Sequence, residues 1–268
     1  MRAPIRCFVF LLIGVPPAAA QDLTAGVSVG VVKLTDTRSE QALSGTLAYQ
    51  AGWFSLYAIP AVLHVSSTAS GRTVSSSGLG DLPLSAAATY TSPTPASPTV
   101  GVSLLVELPT GNAACGLGSG QTAAGVDVGA GVSPGLAHFW GDASRSISGV
   151  SSQSALNAPK ATTLHFEAGY EVSPGWTWTG SVGFDVGTAD TTQALSRVIG
   201  LGVSHTLAGP LMLTVDGAHG LTTGSPQWVL SVGVGTAFAG GSPVTPTTPL
   251  RRLATTFRTS GTRTLSCR

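Results

Sequence analysis

The stretch from residue 161 to 187 restricts this chain more than any other. Leu164, Phe166, Ala168, Tyr170 and Val172 alternate with His165, Glu167, Gly169 and Glu171. Ser173-Pro174-Gly175 interrupts the pattern, which then resumes. Trp176, Trp178, Val182, Phe184 and Val186 fall on one parity, and Thr177, Thr179, Ser181 and Asp185 on the other. A period of two puts successive side chains on opposite faces of a strand, and Pro-Gly is a turn signal. The stretch predicts a hairpin whose strands run about ten residues each, the length that crosses a bilayer when tilted. One face is apolar and aromatic; the other carries Glu167, Glu171 and Asp185. A soluble sandwich would bury the apolar face in a core. An outer-membrane barrel would turn it to lipid and the polar face to a lumen.

Composition decides between the two. Of 268 residues, 9% are charged and 35 are glycine, whereas a soluble domain carries roughly 25% charged residues. No apolar run reaches the roughly eighteen residues that a helical span needs. A closed antiparallel barrel is then the backbone form that can cross lipid, and the fold expected is all-β. Alternating segments number about twelve. Turns at 50–53, 91–98, 133–135, 173–175 and 207–210 are mostly short. Connections at 35–40, 66–80, 109–121, 148–160, 187–193 and 220–226 read as longer, the asymmetry of outer-membrane barrels. Tyr49, Trp53, Tyr90, Tyr170, Trp176 and Phe238 gather near the short turns, where an interfacial girdle belongs. Pro60 marks an irregularity in the third strand, since proline is confined to edges and bulges of sheets.

The ends differ from the middle. Residues 1–20 have Arg2 and Arg6, an apolar core at 8–15, and Ala18-Ala19-Ala20, the plan of a secretory signal peptide cleaved after Ala20. Residues 21–238 form the expected barrel, ending on Phe238 as an insertion signal for the barrel-assembly machinery, with Ser231 and Gly233 before it. Residues 239–268 read as a disordered Thr/Pro/Arg tail, with five arginines and no acid. Positions 22–238 hold six basic and twelve acidic residues, a formal charge of −6. Cys115 and Cys267 read as unrelated, one in a loop and one in the tail, with a single disulfide as the alternative.

Three segments carry a family resemblance: Ser77-Gly78-Leu79-Gly80-Asp81-Leu82, Leu108-Pro109-Thr110-Gly111, and Gly116-Leu117-Gly118-Ser119-Gly120-Gln121. In this order they resemble the outer-membrane channels first grouped with phenol-degradation pathways, over about residues 22–238. The resemblance implies a transport channel, with hydrophobic or aromatic compounds among the expected solutes. It names no substrate, and Thr122-Ala123-Ala124 stand where the family often has an acid. Read from its own residues, 116–120 lacks the lysine and following helix of a phosphate loop and reads as a surface loop.

Catalytic patterns are weak. Gly26-Val27-Ser28-Val29-Gly30 and Gly131-Val132-Ser133-Pro134-Gly135 match a nucleophile elbow but lack its strand-turn-helix context. A lipid-facing lipase site would need a serine beside His205, and the neighbouring strands offer none on that parity; His165 and His219 are no better placed. No Cys/His spacing suits zinc. No enzyme activity and no cofactor are expected.

The parity opposite the apolar set defines the expected lumen. It holds Glu107, Asp127, Glu167, Glu171, Asp185 and Asp216 among small and hydroxylated residues. Acidic rings favour cations, so the reading is a passive channel with a narrow acidic lumen. The alternative is a structural or adhesive surface protein whose acids hydrogen-bond across the lumen and plug it. The partners expected are membrane lipid and a small-molecule solute, and no nucleic acid.

Overall fold

A computed structural model describes residues 21–148, 162–186, 195–207, 211–223 and 225–236. The expected signal peptide, the 239–268 tail, Lys160 and Phe238 lie outside the described residues. Fourteen strand segments are described: Gln21–Thr35 (β1), Arg38–Ala51 (β2), Phe54–Ala58 (β3), Ala61–Ala69 (β4), Arg72–Leu79 (β5), Leu82–Thr91 (β6), Thr99–Leu108 (β7), Ala123–Val132 (β8), Ala137–Ser148 (β9), Thr162–Ser173 (β10), Trp176–Val186 (β11), Arg197–Thr206 (β12), Leu211–Gly220 (β13) and Trp228–Thr236 (β14). All pair antiparallel in one sheet, and β1 pairs with both β2 and β14. The sheet therefore closes on itself between β1 and β2, as backbone in lipid requires, and only the segment β5, paired with β4 alone, keeps an outer edge among the described strands.

Twelve staves make the ring, because two are broken in the middle. The upper part of β2 pairs with β4 and its lower part with β3, while β4 pairs with β5 and β3 with β6. The breaks lie side by side at Ile59-Pro60 and Gly80-Asp81, bridged by Gly45 N–H to Pro60 O, Ile59 N–H to Pro83 O and Gly80 N–H to Ala61 O. Pro60 has no N–H to give a ladder, so the stave yields there. This is the irregularity expected of Pro60. Its neighbour in the second break, Asp81, is turned inward and fully buried.

The two parities divide as the alternation predicts. Leu23, Val27, Val29, Leu47, Val102, Val128, Phe166, Trp178, Leu201 and Leu230 are exposed, while Thr24, Ser44, Thr179, Ser181 and Ser231 are buried. A soluble protein would invert this, since exposed contiguous apolar surface is otherwise avoided. The outside is the lipid face of an outer-membrane barrel. Trp53, Tyr90, Tyr170 and Trp176 are exposed at the short-turn end, the girdle expected there.

Two expected long connections are mostly strand. The 35–40 segment turns in Asp36 and Thr37 alone, and 66–80 is the hairpin β4–β5, turning at Ser70-Gly71 with φ of 50° and 76°. At the first turn, the Gln227 side-chain amide and then the Lys33 ammonium hold the Asp36 carboxyl below the usual range. Gln227 N–H also donates to Lys33 O at 2.8 Å, so these contacts pin the β1–β14 seam.

Candidate functional site: the barrel lumen

The inward parity builds two regions with different character. Toward the long-loop end, Val32 on β1, Leu63 and Val65 on β4, Val198 on β12 and Val229 on β14 are all buried, as are Ala42, Ala61 and Ala218. These apolar side chains pack against one another, with Leu34 and Cys115 against them. Glu40 lies between Val32 and Val65 across the ladders, fully buried, with Arg38 Nη2 3.5 Å from its Oε1. A buried carboxylate needs such partners to remain in place.

Leu117 completes this apolar collar, and it comes from the β7–β8 loop rather than from a strand. Gly116, Leu117 and Gly118 are buried. The expectation of a surface loop at 116–120 is therefore corrected: the loop folds into the barrel mouth. Asp81 is the reason. Its Oδ1 accepts from Gly111 N–H at 2.9 Å and its Oδ2 from Ser119 N–H at 2.5 Å. Thr110 Oγ1 donates to Gly80 O at 2.7 Å. A hydrogen bond to a charged group contributes roughly 1.5–3 kcal/mol. The approach is close enough to require glycine, since a Cβ on Gly118 would stand 2.2 Å from Asp81 Oδ1 and one on Gly111 2.3 Å from Leu117 O. The three glycine-rich segments singled out in the sequence thus meet at one carboxylate. Cys115, beside the collar, is disulfide-bonded, which corrects its reading as an unpaired loop cysteine; Cys7 and Cys267 lie outside the described residues.

Toward the short turns the lumen is open. A cavity of about 2390 Å³ is bounded by β6 to β13 and reaches Trp53 and Pro98 in the short turns. Thr89, Gly101, Trp140, Asp142, Glu167 and Ser181 line it from the inward parity, and residues of the other parity such as Val102, Val128 and Leu201 line it as well. Runs such as 128–132 and 199–203 line it continuously, because glycines on the inward parity expose the backbone between outward side chains.

The sequence-predicted acids are placed as follows. Glu107, Asp127, Glu167, Asp185 and Asp216 are buried on the inward parity. Glu167 Oε1 lies 3.0 Å from His138 Nε2. Asp185 accepts from Thr163 Oγ1 at 2.7 Å and from Ser196 N–H at 2.8 Å. Glu171 is half-buried, and its Oε1 accepts from Gly175 N–H at 2.9 Å, closing the β10–β11 turn. The inward set is also larger than expected. Asp142 accepts from Trp140 Nε1 at 3.1 Å, and its Oδ2 lies 3.1 Å from His165 Nδ1. His138 and His165 thus stand beside the acids, and Arg38 pairs inside rather than at a free strand end. Strict parity along β9 would have found Trp140 and Asp142. Nothing local marks Asp81 as a partner of residues thirty and more positions away.

His205 is occupied by structure: its ring stacks on Trp176 with centroids 4.0 Å apart, and its Nδ1 lies 3.2 Å from Gly175 O. Among the described residues, no group of three or more His, Cys, Asp or Glu could hold a metal ion.

No protein-family model and no curated protein matches the chain. Among solved structures, it is similar to an outer membrane channel from Pseudomonas putida F1, with a TM-score of 0.57 at 18% identity, over 82% of this chain and 97% of that one. It is also similar to the KdgM porin, with a TM-score of 0.52 at 10% identity, over 80% of this chain and 99% of that one. The likeness is one of fold: this chain has the barrel of outer-membrane channels.

Proposed function

We propose that this protein is a passive outer-membrane channel for small solutes, with Glu107, Asp127, Glu167, Asp185 and Asp216 giving its lumen an acidic character. The observation that carries this reading is the concavity of about 2390 Å³ bounded by β6 to β13, lined by glycine-rich strand runs and by apolar groups more than polar ones. A purely structural barrel of this size has no need to leave such space. The Trp140 indole and the aliphatic residues of the lining give the cavity apolar patches beside its carboxylates, which accommodates hydrophobic or aromatic solutes as well as polar ones. The barrel would follow cleavage after Ala20, with 239–268 as an extension beyond it and the strand toward Phe238 engaging the insertion machinery. Purified protein in a planar bilayer tests the reading. Discrete single-channel currents are expected; folded protein that never conducts would overturn it. The second reading, a surface protein with a blocked lumen, draws on the packed collar at the long-loop end.

A further inference from the structure

We propose that the β7–β8 loop, residues 109–121, is the gate of this lumen, with Leu117 as its seal and Asp81 as its latch; the proposal rests on the channel reading above. The collar of Val32, Leu63, Val65, Val198 and Val229 belongs to the wall, and each strand that carries it, β1, β4, β12 and β14, is fixed by ladder hydrogen bonds on both sides. Leu117 alone in the collar is carried by a loop. Its attachments are of a different kind from the wall's. Two carboxylate bonds from Asp81 and the Thr110 hydroxyl bond to Gly80 O hold the loop, together with contact of Leu117 against Gly78, while the Cys115 disulfide tethers its far side. Releasing them breaks no strand pairing.

The loop is also built to move as a flap. Gly116 and Gly120 have φ of 71° and 72°, and Gly111 and Gly118 add further glycine positions without rotamers to repack. With Leu117 in place the constriction is lined mainly by apolar side chains, with the paired Glu40 and Arg38 set among them, and a narrow, largely apolar constriction stops conduction by excluding water. With Leu117 withdrawn, the mouth gains Ser119 and the freed Asp81 carboxylate, and it wets. The latch and the collar explain together why one end of the lumen is packed and the other is a cavity. They also reconcile the channel and the plugged readings: the plug is a state of the loop.

The test is single-channel recording of the full chain in planar bilayers, under non-reducing conditions that keep Cys115 in its disulfide. Three variants are compared with the wild type: Asp81→Asn, Leu117→Ser, and deletion of residues 116–120, which removes the seal and leaves Cys115 in place. Folding is checked for each by heat-modifiable migration on gels, and none of the altered contacts is a ladder hydrogen bond. The wild type should show long closed intervals. Asp81→Asn should raise the open fraction several-fold at unchanged unitary conductance, because the seal is intact but its latch is weakened. Leu117→Ser and the deletion should raise the conductance itself. Equal steady currents from all four proteins would overturn the gate and leave the channel reading standing. Silence from all four folded proteins, the deletion included, would overturn the channel reading and the gate with it.

Discussion

The indole of Trp140 lies flat against Gly129: a Cβ on Gly129 would stand 2.4 Å from Cζ2 of Trp140, and one on Gly131 2.6 Å from its Cε3. Both glycines are on β8, one strand over from Trp140 on β9. The ring is fixed in that plane by its Nε1 bond to Asp142. A bare strand backbone is the only floor on which an indole can lie this low inside the barrel. Gly129→Ala should therefore push the ring into the lumen or tilt it off Asp142. Overpacking of this kind costs roughly 1–3 kcal/mol, and a lower urea midpoint for the detergent-folded barrel is the measurement. Gly180, which has open space around its Cβ position, should accept alanine with no comparable loss.

Phe166 and Phe184 stack across β10 and β11 with centroids 6.0 Å apart on the outer face. Phe184→Arg should reduce folding into lipid bilayers, since an arginine at the bilayer midplane on a lipid face costs roughly 2–4 kcal/mol. Thr177→Arg, on the inward parity of the same strand, should fold in near-normal yield and alter conductance instead. Equal yields for the two would contradict the assignment of faces.

Much of this was legible in the sequence, and the register shows how. The alternation around residues 161–187 places Leu164 opposite Phe184 and Phe166 opposite Val182, as the ladder has them. Apolar side chains facing lipid leave no freedom in parity, because a one-residue slip would turn every one of them inward. The 66–80 segment was not legible as strand for the converse reason. Its serines, threonines and glycines carry no contrast between faces, and it rises as a hairpin beyond the broken staves. Strand β9 alternates less cleanly because Phe139 and Trp140 are adjacent and large, one outside and one inside. The inward loop was missed because its cause is distant: Asp81 and Ser119 are 38 residues apart, and a glycine-rich stretch reads locally as surface. Where an acid needs a loop and a loop needs glycine, only the fold brings the two facts together.

Topology follows from the uneven ends. We expect the long-loop end to face the cell exterior and the short turns the periplasm. A small epitope inserted at Ser70-Gly71, the tip of β4–β5, should bind antibody on intact cells. The same epitope at Pro174-Gly175 should bind only after the outer membrane is permeabilised. Labelling of the second site on intact cells would invert the orientation.

The last prediction concerns charge selection. Asp127 and Glu167 stand on the inner faces of β8 and β10, near the middle of their staves, and Glu167 lines the cavity. His138 beside Glu167 and His165 beside Asp142 temper the acidic wall without matching it, since the inward acids outnumber these bases. In a narrow, low-dielectric space the residual negative charge raises the local concentration of cations. The effect should strengthen as salt is lowered, because the screening length grows from about 10 Å at 0.1 M to about 30 Å at 0.01 M. Reversal potentials across a salt gradient should therefore report cation preference in the wild type, most clearly with the seal removed by Leu117→Ser. Asp127→Asn with Glu167→Gln preserves shape and removes two charges, so it should bring the preference toward neutrality while leaving gel mobility of the folded barrel unchanged. Anion preference in the unsealed channel would mean that the partnered acids contribute no net field, and that selection lies with the apolar collar alone.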